Sequence, residues 1–133
     1  MNYSEIEYNA LTVIIIKSAI ELHKELGLGL LESVYEICLI KVLKEKGLVV
    51  ENQIKVPIHF RNEVLDKNFI LDILVNKVVI LEIKSIEKIS PIHEAQLVTY
   101  LKLSGKKLGL LINFNEELLK NGIRRRINGY LND

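Results

Sequence analysis

Glu82 and Lys84 close the apolar segment Val78-Val79-Ile80-Leu81-Glu82-Ile83-Lys84. Two residues apart on a strand, they point to the same side. A carboxylate and an ammonium at the end of an otherwise buried strand are costly to desolvate. They must be paired with each other, exposed where the strand reaches solvent, or bound to something. Asp72 interrupts the preceding apolar segment, Phe69-Ile70-Leu71-Asp72-Ile73-Leu74-Val75, in the same way. Two inward carboxylates can share a cation. Oxygen ligands from Asp72, Glu82 and the main-chain carbonyl of Ile83, completed by water, make the hard site that Mg2+ or Mn2+ prefers. Lys84 beside it would stabilise anionic charge or orient a water.

The turn between the two segments decides whether these carboxylates meet. If Asn76-Lys77 form a two-residue hairpin loop, Val75 pairs with Val78, Asp72 lands opposite Leu81, and Asp72 and Glu82 fall on different faces. A three-residue loop, Asn76 to Val78, or a bulge sets Asp72 across from Glu82. The odd register or a bulge is the expectation.

Three further groups have chemistry-bearing spacing. His93, Gln96 and Tyr100 stand at i, i+3 and i+7 and share one helix face, either solvated or forming a wall toward a substrate. Glu32, Tyr35 and Glu36 share a face at the start of another helix, where a lone Glu is also favoured by the helix dipole. Arg124-Arg125-Arg126 splay around a last helix. There they either reach phosphates or cover core surface with their stems.

The elements that must position these residues follow from periodicity. Residues 9 to 26 read as an amphipathic helix on Val13, Ile16, Ile20 and the Leu22 to Leu26 spacing, stopped by Gly27. A second helix runs from near Leu31 to Lys46, with Val34, Cys38 or Ile37, and Val42 inward and Gly47 as C-cap. Short β-branched segments follow: Leu48 to Phe60, Phe69 to Val75 and Val78 to Lys84, separated by Arg61-Asn62-Glu63 and Asn76-Lys77. Ser90 caps a helix that starts at Pro91, with Glu94 in its first turn, and continues to about Ser104 before Gly105. Leu108 to Ile112 is a buried strand, Asn113-Phe114-Asn115 its polar exit, and Glu116 to about Ile127 the last helix. The order is ααβββαβα, an α/β (mixed α+β) chain with a central mixed sheet flanked by helices. The stretch from Val78 through the Pro91 helix to Ile112 has the length of a βαβ crossover.

Composition bounds the function. The 133 residues fit one domain with a real core, read as spanning 1–133. With 19 Ile, 22 Leu and 11 Val against 6% aromatics, that core is aliphatic. Charged residues are 26%, with 18 basic against 17 acidic, which argues against disorder and against a bulk basic coat. The distribution is uneven: residues 1 to 99 hold 11 basic and 14 acidic side chains, residues 100 to 133 hold 7 and 3. Cys38 alone excludes an intramolecular disulfide and a thiolate metal site. No apolar run reaches membrane-spanning length, and Met1-Asn2-Tyr3-Ser4-Glu5 lacks the basic start of a signal peptide. A soluble protein of a reducing cytoplasm, with no membrane partner, is expected.

Gly29-Leu30-Leu31-Glu32-Ser33-Val34-Tyr35 reads as G-x-x-E-x-x-Y. Leu71-Asp72, Glu82-Ile83-Lys84, Gln96 to Tyr100 and Gly109-Leu110-Leu111-Ile112-Asn113-Phe114 follow in order. With these motifs the chain resembles a GxxExxY protein of the PD-(D/E)XK nuclease superfamily over about residues 10 to 130. Leu71 stands in place of the proline in the superfamily's name, and Ile70 where an arginine is expected. The resemblance implies a restriction-endonuclease-like core. It implies Glu32, Asp72 and Glu82 as metal-site carboxylates with Ile83, Lys84 as the catalytic lysine, and Gln96 and Tyr100 facing the nucleic acid. Tyr35, His93 and Arg124 to Arg126 complete the expected nucleic-acid contacts. The implied activity is Mg2+- or Mn2+-dependent phosphodiester hydrolysis on DNA or RNA. The alternatives are a catalytically silent nuclease-fold module that binds nucleic acid or protein, and a metal-dependent hydrolase of another phosphorylated substrate. The modest basic end limits the affinity of one copy, so tight binding would call for a homodimer or a partner protein.

Overall fold

The computed structural model describes residues 3 to 131. Met1 and Asn2, part of the start read as lacking a signal peptide, and residues 132 and 133 lie outside it. Helix α1 spans Glu5–Leu26. It starts four residues before the sequence-based boundary because Ser4 and Glu7 form a capping box: the Glu7 N–H donates to Ser4 Oγ at 3.1 Å, and the Ser4 N–H to Glu7 Oε1 at 3.0 Å. Helix α2 is Glu32–Glu45. Strands β1 (Val50–Phe60), β2 (Glu63–Val75) and β3 (Val79–Lys84) follow, then helix α3 (Pro91–Ser104) and strand β4 (Leu108–Asn113).

The chain then departs from expectation. Glu116 to Ile127 is not a helix but a short 3-10 turn, Leu119–Gly122, leading into a fifth strand, β5, Ile123–Ile127. All six residues of β4 are buried, so its outer edge needs hydrogen-bond partners. β5 supplies them antiparallel, with Ile112 opposite Ile123 and Leu108 opposite Ile127. Gly122 makes the return feasible: a Cβ there would lie 2.4 Å from the main-chain oxygen of Asn113.

The sheet order is β1-β2-β3-β4-β5. Neighbours are antiparallel except β3 and β4, which are parallel and joined through α3, the expected crossover. Helices α1 and α2 cover one face, packing Ile15, Ala19, Leu39 and Leu43 on Ile73, Leu81, Ile83 and Leu110. Helix α3 covers the other, with Leu97 and Leu101 on Leu74, Ile80 and Leu111. Coverage of both faces explains why β3 is apolar on both sides. Gly109 lets α3 come close, since a Cβ there would meet Leu97 Cδ1 at 2.7 Å.

The inward helix faces are rotated from those read in the sequence. In α1 the buried apolar positions are Tyr8, Leu11, Ile15, Ala19 and Leu22, while Val13 is exposed and Ile16 and Ile20 are half-buried. The run Ile14-Ile15-Ile16 offers three consecutive isoleucines and cannot set a phase. In α2 the core takes Tyr35, Leu39 and Leu43, one residue on from Val34, Cys38 and Val42; Ile37 is 65% exposed. Among the described residues no helix is long and apolar enough to cross a membrane.

Candidate nuclease site

The connection between β2 and β3 is the three-residue loop Asn76, Lys77 and Val78, with Asn76 and Lys77 at φ of 50° and 60°. It pairs Val75 with Val79, Leu74 with Ile80 and Ile73 with Leu81. Continued by one residue, this register brings Asp72 opposite Glu82, as the sequence argument required. Ile80 faces α3, so by alternation along β3 Glu82 and Lys84 point to that side as well, while Asp72 meets Glu82 from the point on β2 where the faces switch between Ile73 and Leu71. The Ile83 N–H donates to Asp72 Oδ2 at 2.9 Å, and the Asp72 N–H reaches Glu82 Oε1 at 3.5 Å.

Glu82 is buried, with 6% of its surface exposed. Its carboxyl is raised to about 8, first by burial and then by the Asp72 charge; Lys84 acts in the opposite direction. A carboxyl–carboxyl hydrogen bond with Asp72 also favours the protonated form. The pair is thus two oxygen-donor groups held close together, a position in which a hard cation would serve both. Among the described residues no three His, Cys, Asp or Glu side chains converge to hold an ion. Main-chain carbonyls such as that of Ile83, and water, would complete a coordination shell. With those additions the donor set fits Mg2+ or Mn2+.

Tyr100 of α3 borders this pair. Burial, then the charges of Glu82 and Asp72, raise its hydroxyl above the ordinary value, while a hydrogen bond with Gln96 lowers it. Its ring stacks on Phe69 at 4.7 Å between centroids. Gln96 is exposed. His93 is half-buried, and its Nδ1 accepts the Ser90 N–H at 2.9 Å, so this ring, rather than Glu94, completes the cap of α3.

Two residues outside the expected set hold the strand ends. Asn113 is fully buried; its Oδ1 accepts the N–H groups of Ile86 at 3.0 Å and Asn115 at 3.2 Å, and its Nδ2 donates to Ile86 O at 3.0 Å. Since Asn113 pairs with Lys84, it fixes the chain immediately after the lysine. Asn113 and Phe114 are therefore interior groups and not a polar exit. The signal was available: an amide ends a buried five-residue apolar run that lies parallel to the lysine's strand. The Ser85 hydroxyl donates to Leu30 O at 2.7 Å and ties the loop before α2 to the end of β3.

Tyr35 cannot contact nucleic acid as expected, because it is fully buried. Its hydroxyl donates to Gly27 O at 2.6 Å and accepts the Leu30 N–H at 3.3 Å, and its ring stacks on Phe114 at 4.6 Å. It braces the loop that leads into α2. Glu32 is exposed and lines a shallow pocket of about 530 Å³ with Gly29, Ser33, Ser85 and Asn115, beside the exits of β3 and β4. Glu36, one turn on, is half-buried. Both of its carboxyl oxygens accept from Gln53 Nε2 at 3.0 Å. Burial raises its carboxyl, the Gln53 contact lowers it, and the charges of Asp72 and Glu32 raise it.

The arginines lie on strand β5 and not on a helix, so they alternate between faces. Arg124 and Arg126 both pair with Glu94 of α3. Arg124 Nη1 also donates to Asn121 O at 2.9 Å and Ile123 O at 3.1 Å. Arg125 Nη2 donates to Asn9 Oδ1 on α1 at 3.1 Å.

Neither a curated protein nor a solved structure matches the chain. The sequence model of the PD-(D/E)XK nuclease superfamily matches residues 9–126, a span that contains Glu32, Asp72, Glu82, Lys84, Gln96 and Tyr100. The five-stranded mixed sheet between helices is consistent with that superfamily's restriction-endonuclease-like fold. On that match and that fold, the chain belongs to the PD-(D/E)XK nuclease superfamily.

Proposed function

We propose that this chain is a metal-dependent nuclease of the GxxExxY type that hydrolyses phosphodiester bonds in DNA or RNA. Nucleases of the superfamily generally use divalent metal ions. The observation that carries the reading is the three-residue β2–β3 loop, whose register sets two carboxyls face to face beside Lys84. Asp72, Glu82 and the Ile83 carbonyl would hold Mg2+ or Mn2+, with Glu32 contributing from the α2 end. Bound there, the ion supplies Lewis acidity toward the phosphoryl oxygen and the attacking water.

The protein's own groups divide the remaining work. Lys84 brings a positive charge to the face on which Asp72 and Glu82 meet, where it offsets the charge that builds on phosphorus oxygens as water adds and one P–O ester bond breaks. Asn113 and Ser85 fix the chain that follows the lysine. Gln96 and the half-buried Tyr100 hold the substrate from the α3 side, with His93 at the start of the same helix face. With 18 basic against 17 acidic side chains in the whole chain, one copy holds nucleic acid weakly, so tight binding calls for a second copy or a partner protein.

The test is incubation of single-stranded, double-stranded and nicked DNA, and RNA, with Mg2+ or Mn2+, comparing the native chain with Glu82→Ala and Lys84→Ala. Cleavage lost in both variants supports the reading. Cleavage that survives both assigns the activity elsewhere, and binding without cleavage by the native chain identifies a silent nuclease-fold module.

A further inference from the structure

Gln53 is in the left-handed region at φ 50°, and it is the only non-glycine residue there outside the two hairpin turns among the described residues. Such a conformation costs on the order of 1 kcal/mol and persists where surrounding contacts enforce it. The place is informative. The β1–β2 ladder pairs Asn52 with Ile73 and Ile54 with Leu71, but the pair between them, Gln53 and Asp72, is missing. The alternation of faces also switches there. Ile73 and Val75 pack on the α1/α2 side, while Leu71 and Phe69, of the same parity, pack on the α3 side. On β1 likewise, Val50 lies with the first cluster and Ile54 with the second.

This irregularity has a product. It turns the Gln53 amide outward from the ladder onto Glu36, whose two oxygens it holds at 3.0 Å each. Gln53 lies level with Asp72, between the pairs Asn52–Ile73 and Ile54–Leu71, so the carboxylate its amide holds stands beside the ribbon at that level. An ordinary strand residue at position 53 would keep the ladder intact and leave Glu36 to swing freely into solvent.

We propose that Glu36, fixed by the Gln53 amide, is a positioning residue of the Asp72–Glu82 site, a third carboxylate that strengthens its hold on a divalent cation without needing to touch the ion. The inference rests on the proposed metal-dependent function and adds to it a pair of residues outside the family motif. Groups behind the direct ligands of a metal typically change its affinity 10- to 100-fold when altered.

Mn2+ binding to the full chain, measured by isothermal titration calorimetry at fixed pH, tests this without a nuclease assay. Glu36→Gln keeps the shape and one of the two acceptor oxygens and removes the charge, so Mn2+ should bind about tenfold more weakly. Gln53→Gly keeps the left-handed backbone accessible and removes only the amide; it should weaken binding in the same direction. The double variant should be no weaker than Glu36→Gln alone, because both changes act through one contact. Glu45→Gln, an exposed charge at the far end of α2, controls for general acidity and should bind as the native chain does. If Asp72→Asn abolishes binding while Glu36→Gln and Gln53→Gly bind as the native chain does, the positioning role is overturned and the metal reading stands. If Glu45→Gln weakens binding as much as Glu36→Gln, the effect is bulk charge and the proposal fails. If the native chain binds no Mn2+, both readings fall together.

Discussion

Among the described residues, the carboxyls of Asp72 and Glu82 at the centre of the sheet accept from main-chain N–H groups, whereas at its edge every arginine of β5 already has an acceptor within the fold. The first arrangement leaves oxygen atoms with capacity for a cation, those of Glu82 buried and those of Asp72 half-buried. The second spends positive charge on joining β5 to α3 and α1. Density of charge in the sequence is therefore a poor guide to which group meets a ligand. The richest basic cluster is largely committed to packing, and the site lies in the acidic part of the chain.

The largest effect should come from breaking the central pair. Asp72→Asn and Lys84→Ala should each lower phosphodiester hydrolysis by at least about 100-fold, the scale seen when one preorganised charge-stabilising group is removed, and neither should lower the melting temperature of the metal-free protein. Single-turnover cleavage alongside thermal unfolding reads both. A variant that loses activity only in proportion to lost stability would place these residues among the structural charges and erase the contrast with β5.

The pair also makes a pH prediction. Glu82 titrates near 8 in the folded protein against an ordinary value of 4.5. Below about 4.5 both folded and unfolded chains are protonated and the group contributes no pH dependence. Between 4.5 and 8 the unfolded chain has released the proton and the folded one has kept it, so the folded state loses stability as pH rises, and the loss levels off above 8. Its size is on the order of a few kcal/mol. Metal-free native protein should melt several degrees lower at pH 8 than at pH 5.5, Glu82→Gln should flatten that difference, and millimolar Mg2+ should restore the native chain at pH 8. An equal pH slope in Glu82→Gln would show that other groups cause it.

Next in size is the edge itself. Gly122→Ala puts a Cβ within 2.4 Å of Asn113 O, a main-chain atom that β4 cannot easily move. Overpacking of this kind costs about 1–3 kcal/mol, read as a lowered midpoint in urea. Because Asn113 also holds the chain after Lys84, the same variant should lower cleavage beyond its loss of stability. Unchanged stability would mean that β5 is not fixed to β4 by this close approach.

What the sequence disclosed follows the same division. Local, strongly patterned signals were legible: the Ser90-Pro91 helix start, the apolar strands on both sides of Asn76-Lys77, and, from the conflict between a two-residue turn and two inward carboxylates, the odd register. Signals that depend on a distant partner were not. Ile123 to Ile127 alternates weakly and becomes a strand because β4 has an open edge. The inward face of α2 depends on Phe114, nearly 80 residues later, being there to receive Tyr35. Gln53 carries no local mark at all, since its conformation reflects Glu36 on one side and Asp72 on the other.

The smallest effect tests whether the committed arginines can be released. Glu94 is the shared acceptor for Arg124 and Arg126, whose side chains remain 37% and 39% exposed. Half-exposed pairs of this kind contribute less than about 1 kcal/mol, so Glu94→Gln should lower stability only slightly. It should free two cations on the α3 face, and Arg125, which reaches Asn9 on the opposite side, should not respond. Each freed arginine that reaches a phosphate steepens the dependence of log K on log salt by about 0.9 on duplex and about 0.7 on single strands. Binding of a labelled oligonucleotide across a salt series should therefore show a steeper slope and tighter low-salt binding in Glu94→Gln than in the native chain. A slope identical to the native one would mean that no phosphate approaches β5, and would leave the arginine strand with a purely structural role.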